Sequence, residues 1–188
     1  MRAFLAIPIP KSIAEALYTA RKSLRAAWPD MRWVAPGNFH ITLYFFRQLD
    51  EAALESLIGG LSEFLTGKTA FSVELTGPDC FGSKSNPNAV YEGVADKKNS
   101  LEKLHIQLRP AVEFIVTHEK PFHPHVTLGR GNHRSSKEPK HGRIWPADHQ
   151  GEPSYTLTVN TITLYQSNLL PEGAQYIPIK SWTLEGTP

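Results

Sequence analysis

A single cysteine, Cys80, in 188 residues leaves no partner for an internal disulfide and no CxxC pair for zinc, which suits a reducing compartment. The longest apolar stretch near the start, Ala3 to Pro10, is far shorter than the roughly 18 to 20 residues that a membrane span needs. No cleavage-site pattern follows it. Neither export nor a membrane anchor is expected, and the expected location is the cytoplasm. An excess of one charge is also missing: 20 basic against 18 acidic residues give +2, too small a bias to argue for nucleic acid. Gly and Pro, at 13 and 15 residues, are dispersed rather than massed, which excludes collagen-like and low-complexity chains. What is present, 40% hydrophobic and 10% aromatic residues, suffices for one packed domain over residues 1–188 or for two small lobes sharing a core.

Charge is uneven along the chain. Arg130, Arg134, Lys137, Lys140 and Arg143 fall in one stretch with a single acid, Glu138, and two histidines, His133 and His141. Such a run is a solvated loop or a surface that tracks phosphates.

Hydrophobic periodicity predicts a strand over Arg2 to Ile9 and one amphipathic helix from Lys11 to Trp28. A second strand spans Phe39 to Phe46, and Asp50 is placed to cap a helix through Leu54, Leu57, Leu61 and Leu65. Short strands at Phe71 to Leu75 and Ala89 to Val94 flank a loop holding Pro78, Gly82 and Pro87. A third helix starts near Ser100, with Pro110 expected to kink or restart it. Strands follow at Phe122 to Arg130, Tyr155 to Val159, Thr161 to Gln166 and Tyr176 to Leu184. This order predicts an α+β class with mostly antiparallel sheet.

One short pattern occurs twice: Phe39-His40-Ile41-Thr42-Leu43 and, 85 positions later, Pro124-His125-Val126-Thr127-Leu128. His-x-Thr-Leu should arise about 0.06 times by chance in a chain of this composition, so the duplication carries information. Residues i and i+2 of a strand share a face, about 6.6 to 6.8 Å apart. Each copy therefore offers an imidazole and a hydroxyl to the same space, and two facing strands make a four-point site.

Two imidazoles titrating near neutrality can serve as general base and general acid in one turnover. Displacement at phosphorus needs those roles on opposite sides of the phosphorus, and threonine hydroxyls can donate to the charged non-bridging oxygens. A five-membered cyclic phosphate starts strained, so a ribose 2′,3′-cyclic phosphate is the substrate this arrangement suggests. No metal or other cofactor is required. His123 shares a face with His125 and His118 is near, yet no carboxylate or thiolate stands at metal-ligand spacing beside them. Tyr44, Phe46, Tyr91 and Tyr165 are of the type that stacks on a nucleobase and equally of the type that fills a core. Cys80 has no evident activating neighbour. Arg130, three past Thr127, points away from His125 if the strand stays regular, although Gly129 can bend the chain there.

Four segments carry a resemblance to the 2H phosphoesterase superfamily, and within it to the RNA 2′,3′-cyclic phosphodiesterases of the 2′-5′ RNA ligase family. They are Arg2-Ala3-Phe4-Leu5-Ala6-Ile7-Pro8, then Arg32-Trp33-Val34 leading to Asn38 through Leu43, then Pro121 through Arg130, and Leu164-Tyr165-Gln166-Ser167. The resemblance implies a bilobal, pseudo-symmetric fold of two intertwined lobes, each supplying one His-x-Thr strand to a central cleft. It implies hydrolysis of a terminal cyclic phosphate to a 2′-phosphate, with His40 protonating the 3′-oxygen and His125 activating water. Thr42 and Thr127 would hold the phosphate oxygens, with Arg130 as a further substrate contact. Phe45-Phe46-Arg47 and Pro87-Asn88-Ala89-Val90-Tyr91 depart from the family pattern, which bears on the cleft rim rather than on the His and Thr positions. RNA ends or nucleotides carrying the cyclic phosphate are the expected partners, and a monomer is expected. Two other readings remain: a non-hydrolytic RNA-end binding protein, and joining of 2′-5′ RNA ends by the same displacement with a ribose hydroxyl in place of water.

Overall fold

The structure, a computed structural model, describes residues 1–116, 121–131, 145–146, 154–170 and 173–186. In chain order it contains strand β1 (Ala3–Pro8), helices α1 (Lys11–Ala20) and α2 (Lys22–Ala27), strand β2 (Arg32–Trp33) and a 3-10 turn at Pro36–Asn38. There follow β3 (His40–Phe46), α3 (Glu51–Leu65), the β4 (Phe71–Ser83) and β5 (Asn86–Ala95) hairpin and α4 (Ser100–Val112). The chain closes with β6 (His125–Arg130), β7 (Tyr155–Val159), β8 (Thr161–Leu170) and β9 (Gly173–Thr183). The α+β class with an antiparallel sheet is as the sequence predicts.

Three elements differ from expectation, each for a physical reason. The helix expected from Lys11 to Trp28 breaks at Arg21, whose backbone sits at φ −97 and ψ 22. That side chain turns inward to a buried bidentate ion pair with Glu92 of β5, with Nε to Oε2 and Nη2 to Oε1 both 3.0 Å. The loop expected between Leu75 and Ala89 is strand, because the β4–β5 ladder absorbs Pro78 and Gly82 in register shifts after Leu75 and after Phe81. Helix α4 runs through Pro110 to Val112. The carbonyl that loses its donor there belongs to Ile106, a residue 60% exposed, where water can satisfy it. Asp50 caps α3 as predicted, its carboxylate accepting from Ala53 N–H at 2.8 Å.

The nine described strands form one sheet in the order β7-β4-β5-β6-β3-β1-β8-β9, with β2 paired to β6. The two strands carrying the repeated motif are thus the central neighbours. Ile41 and Val126 face each other across their ladder. Both are buried in the cluster that also takes Leu57, Leu61 and Leu65 of α3 and Leu101, Leu104 and Leu108 of α4. Helices cover one face of the central strands, and the alternating residues emerge on the other.

Candidate functional site

Strand alternation delivers the motif side chains to that other face. Since Ile41 is opposite Val126 in an antiparallel pair, His40 stands opposite Thr127 and Thr42 opposite His125. Each imidazole therefore faces the other repeat's hydroxyl, and the two imidazoles lie on a diagonal. Burial repeats with the motif. His40 and Thr42 are half-buried, Ile41, Leu43 and Tyr44 buried, and Phe45 exposed. In β6, His125 and Thr127 are half-buried, Val126, Leu128 and Gly129 buried, and Arg130 exposed.

Two consecutive buried residues in each strand mark a bulge. The β1–β3 register steps from Ala6–Thr42 to Leu5–Tyr44, skipping Leu43. The β5–β6 register steps from Tyr91–Thr127 to Val90–Gly129, skipping Leu128. An extra residue inverts the alternation beyond it, so the expectation for a regular strand is corrected: Arg130 returns to the face of His125 and Thr127. A second fact fixes this orientation. A Cβ on Gly129 would lie 2.8 Å from Trp33 Cε3, so Trp33 covers Gly129 on the core side and Arg130 must face the other way.

Both imidazoles are held alike. His40 Nδ1 is 2.7 Å from the Asn38 carbonyl and His125 Nδ1 is 2.7 Å from the His123 carbonyl, in each case two residues upstream. A carbonyl only accepts, so Nδ1 donates in both rings and Nε2 is the nitrogen left without a proton in the neutral ring. Asn38 is itself anchored, its Nδ2 donating to the Ala174 carbonyl of β9 at 3.1 Å. Burial lowers the pKa of His40 from 6.5 to about 4, opposed by its carbonyl bond and aided by the Arg130 and His125 charges. His125 is lowered too, chiefly by burial, then opposed by its carbonyl bond and aided by His123 and Arg130. These couplings place Arg130 within electrostatic reach of both rings. Tyr176, raised by burial, also feels Arg130 as a lowering influence.

Aromatic rings wall both imidazoles. Phe4 and Tyr176 lie 4.7 and 5.3 Å from His40, with Tyr165 stacked behind Phe4 at 5.2 Å. Phe81 and Tyr91 lie 5.1 and 5.3 Å from His125. Of the four aromatics considered from sequence, Tyr91 reaches the site, Tyr165 stands one ring behind it, and two are elsewhere. Tyr44 stacks on His105 at 4.3 Å and donates to its carbonyl, while Phe46 is core. Phe4, Phe81 and Tyr176 carry no local signal in the sequence, because only the sheet order brings their strands beside the motifs. His123 places its ring 5.9 Å from that of His125. Burial raises the Cys80 thiol, with the Asp79 carboxylate adding to it. His118 and the basic stretch beyond Gly131 lie outside the described residues.

A cavity of about 710 Å³ adjoins the His125 side, lined by Asp79, Lys84, Tyr91, His123 and Trp145 among others. Neither His40 nor His125 lines it, so the titratable centre sits on the open sheet face beside the cavity rather than inside it.

Comparison with known proteins identifies the family and the fold. The profile of a family described as the 2′-5′ RNA ligase superfamily matches residues 9–169. A Bacillus subtilis protein named RNA 2′,3′-cyclic phosphodiesterase is 33% identical over 130 residues, 68% of this chain and 69% of the relative. A Thermotoga maritima protein of the same name is 27% identical over 187 residues, covering 99% of this chain and 97% of the relative. Among solved structures, a Thermus thermophilus protein superposes with a TM-score of 0.79 at 24% identity, covering 99% of both chains. Escherichia coli LigT complexed with 3′-AMP superposes with a TM-score of 0.76 at 24% identity, covering 98% of both. These superpositions show the shared fold.

Proposed function

Since the chain belongs to the 2′-5′ RNA ligase superfamily, we propose that it is an RNA 2′,3′-cyclic phosphodiesterase that opens a terminal cyclic phosphate to a 2′-phosphate by paired imidazole catalysis without a metal. The observation that carries this reading is the antiparallel crossing of the two His-x-Thr strands, with both Nδ1 atoms committed to carbonyls. The names of the relatives support the same activity.

In this mechanism His125 Nε2 takes a proton from water as its oxygen bonds to phosphorus. The bond from phosphorus to the 3′-oxygen breaks, and His40 Nε2 delivers a proton to that oxygen. Thr42 and Thr127 donate to the non-bridging oxygens, and Arg130 offsets their charge. With a pKa of about 4, His40 is neutral at pH 7 and must gain its proton with the substrate. A phosphodiester anion beside it favours the charged ring, so binding raises the pKa and charges the acid when it is needed. His125 returns its proton to solvent after the product leaves, and His40 recovers one.

The test is incubation of the purified protein, in EDTA, with an RNA oligonucleotide ending in a 2′,3′-cyclic phosphate, followed by identification of the terminal phosphate. A 2′-phosphate is expected. A folded protein that leaves the end intact, or that needs added metal, overturns the reading. A 3′-phosphate would reverse which ribose oxygen departs.

A further inference from the structure

Strand β2 has only two residues, and one of them has no evident structural reason to be basic. Arg32 is directly opposite Arg130, and Trp33 directly opposite Gly129. Directly opposed residues in an antiparallel pair share a face, with Cβ atoms about 4.5 to 5.5 Å apart, and like charges there are destabilising. Both arginines are exposed, and among the described residues neither forms an ion pair with a carboxylate. Trp33 is turned to the core, donating from Nε1 to the Trp28 carbonyl at 3.0 Å and covering Gly129. Its neighbour Arg32 is thereby committed to the site face. Two arginines directly opposed on paired strands, with no ion-pairing carboxylate among the described residues, are suited to an anion with several oxygens.

We propose that Arg32, with Arg130, binds the RNA backbone phosphate on the 5′ side of the terminal nucleoside. This rests on the functional reading above, in which the 3′-oxygen departs toward His40. The nucleoside then lies at the His40 end of the cleft. That is the end where Arg130 emerges, because β6 runs antiparallel to β3 and passes His40 after Thr127. Tyr176 stands at the same end, within 5.3 Å of the His40 ring and under the influence of Arg130. A chain leaving the terminal ribose through its 5′-oxygen meets the Arg32–Arg130 pair next. Arg130 serves the reacting phosphate and its neighbour, whereas Arg32 serves only the neighbour. Arg32 is thus a specificity residue that favours an RNA end over a free nucleoside cyclic phosphate.

The experiment compares a nucleoside 2′,3′-cyclic phosphate with the same compound bearing a 5′-phosphate, for wild type, Arg32→Gln and Arg32→Lys. Equilibrium binding of the two matching 2′-phosphate products is measured alongside. Wild type should favour the 5′-phosphorylated substrate. Arg32→Gln should lose about tenfold in kcat/KM on that substrate, mainly through KM, and its salt dependence should flatten by about one unit of slope. The nucleoside cyclic phosphate should change less than about twofold, and Arg32→Lys should recover part of the loss as a point charge does. Equal effects on both substrates, or no effect on either, would overturn the assignment. Should wild type hydrolyse neither compound, the functional reading fails by itself. The binding comparison then still decides Arg32: a 5′-phosphate preference abolished by Arg32→Gln supports it, and no preference rejects it.

Discussion

The two motif strands are equivalent in pattern and unequal in surroundings. Both place His, Thr and a bulged Leu in the same succession, and both lock Nδ1 onto the carbonyl two residues back. Beyond the bulge they diverge. Arg130 emerges from β6, while the corresponding residue of β3 is Phe45, 41% exposed, with the Arg2 guanidinium 5.2 Å above its ring. Before that, Gly129 of β6 makes room for Trp33, while Tyr44 of β3 drives its ring against His105. The repeat thus delivers a matched pair of imidazoles, and the departures from the repeat make their surroundings unequal: Arg130 emerges past one bulge and Phe45 past the other.

The comparison can be broken most forcefully at the imidazoles. Either His40→Ala or His125→Ala should lower kcat by about 10²- to 10⁴-fold with the fold retained, because each removes one proton-transfer role of the proposed mechanism. The double variant should lose much less than the product of the two. Retained activity in both single variants would reject the paired mechanism.

A second break lies beside β6, where Glu92 of β5 stands opposite Val126. Arg21 and Glu92 are 2% and 0% exposed and join the α1–α2 junction to β5; Glu92 Oε1 also accepts from Gly77 N–H at 2.8 Å. Glu92→Ala takes a carboxylate from a buried guanidinium and should cost about 3 to 5 kcal/mol, read from the urea midpoint.

The unequal burial of the rings can be sharpened by pH. His40 is depressed to about 4 from 6.5, so the unfolded chain binds its proton first. This contribution to stability is full above pH 6.5 and is lost as pH falls toward 4, by as much as about 3 kcal/mol. The Tm of wild type should decline across that window, and His40→Gln should flatten the decline. In kinetics, the proposed mechanism, in which bound phosphate raises the His40 pKa, puts the limb on which activity falls as the acid deprotonates at higher pH in kcat than in kcat/KM. Coincident limbs would show that substrate does not charge the ring.

The smallest expected effect concerns the bulge. Gly129→Ala forces a Cβ to within 2.8 Å of the Trp33 ring and should cost about 1 to 3 kcal/mol, with a rise in KM as Arg130 is displaced. The corresponding Tyr44→Phe should spare KM, because its hydroxyl bonds to the His105 carbonyl away from the cleft.

Much of the fold was legible locally. The Asp50 cap, the leucine spacing of α3 and the β-branched runs of the central strands are short-range signals, and each produced its element. The missed features depend on distant partners. The break at Arg21 follows from a carboxylate 71 positions away, and the extension of β4 past Pro78 follows from a ladder that tolerates bulges. At the site, the four motif side chains were legible because a period of two places them on one face whatever the partner. Phe4, Phe81, Tyr176 and Arg32 were not, since each comes from another strand.

The sequence alone determined which groups could react, because the repeated His-x-Thr pattern and strand alternation require nothing beyond neighbouring residues. Only the tertiary structure decided how they are poised. Strand order brought the two copies side by side, burial moved the imidazoles off their ordinary pKa, and one bulged residue turned Arg130 toward Arg32 on the site face. The physical reason is that alternation is a property of a single strand, whereas register, desolvation and the meeting of like charges are properties of strands placed together.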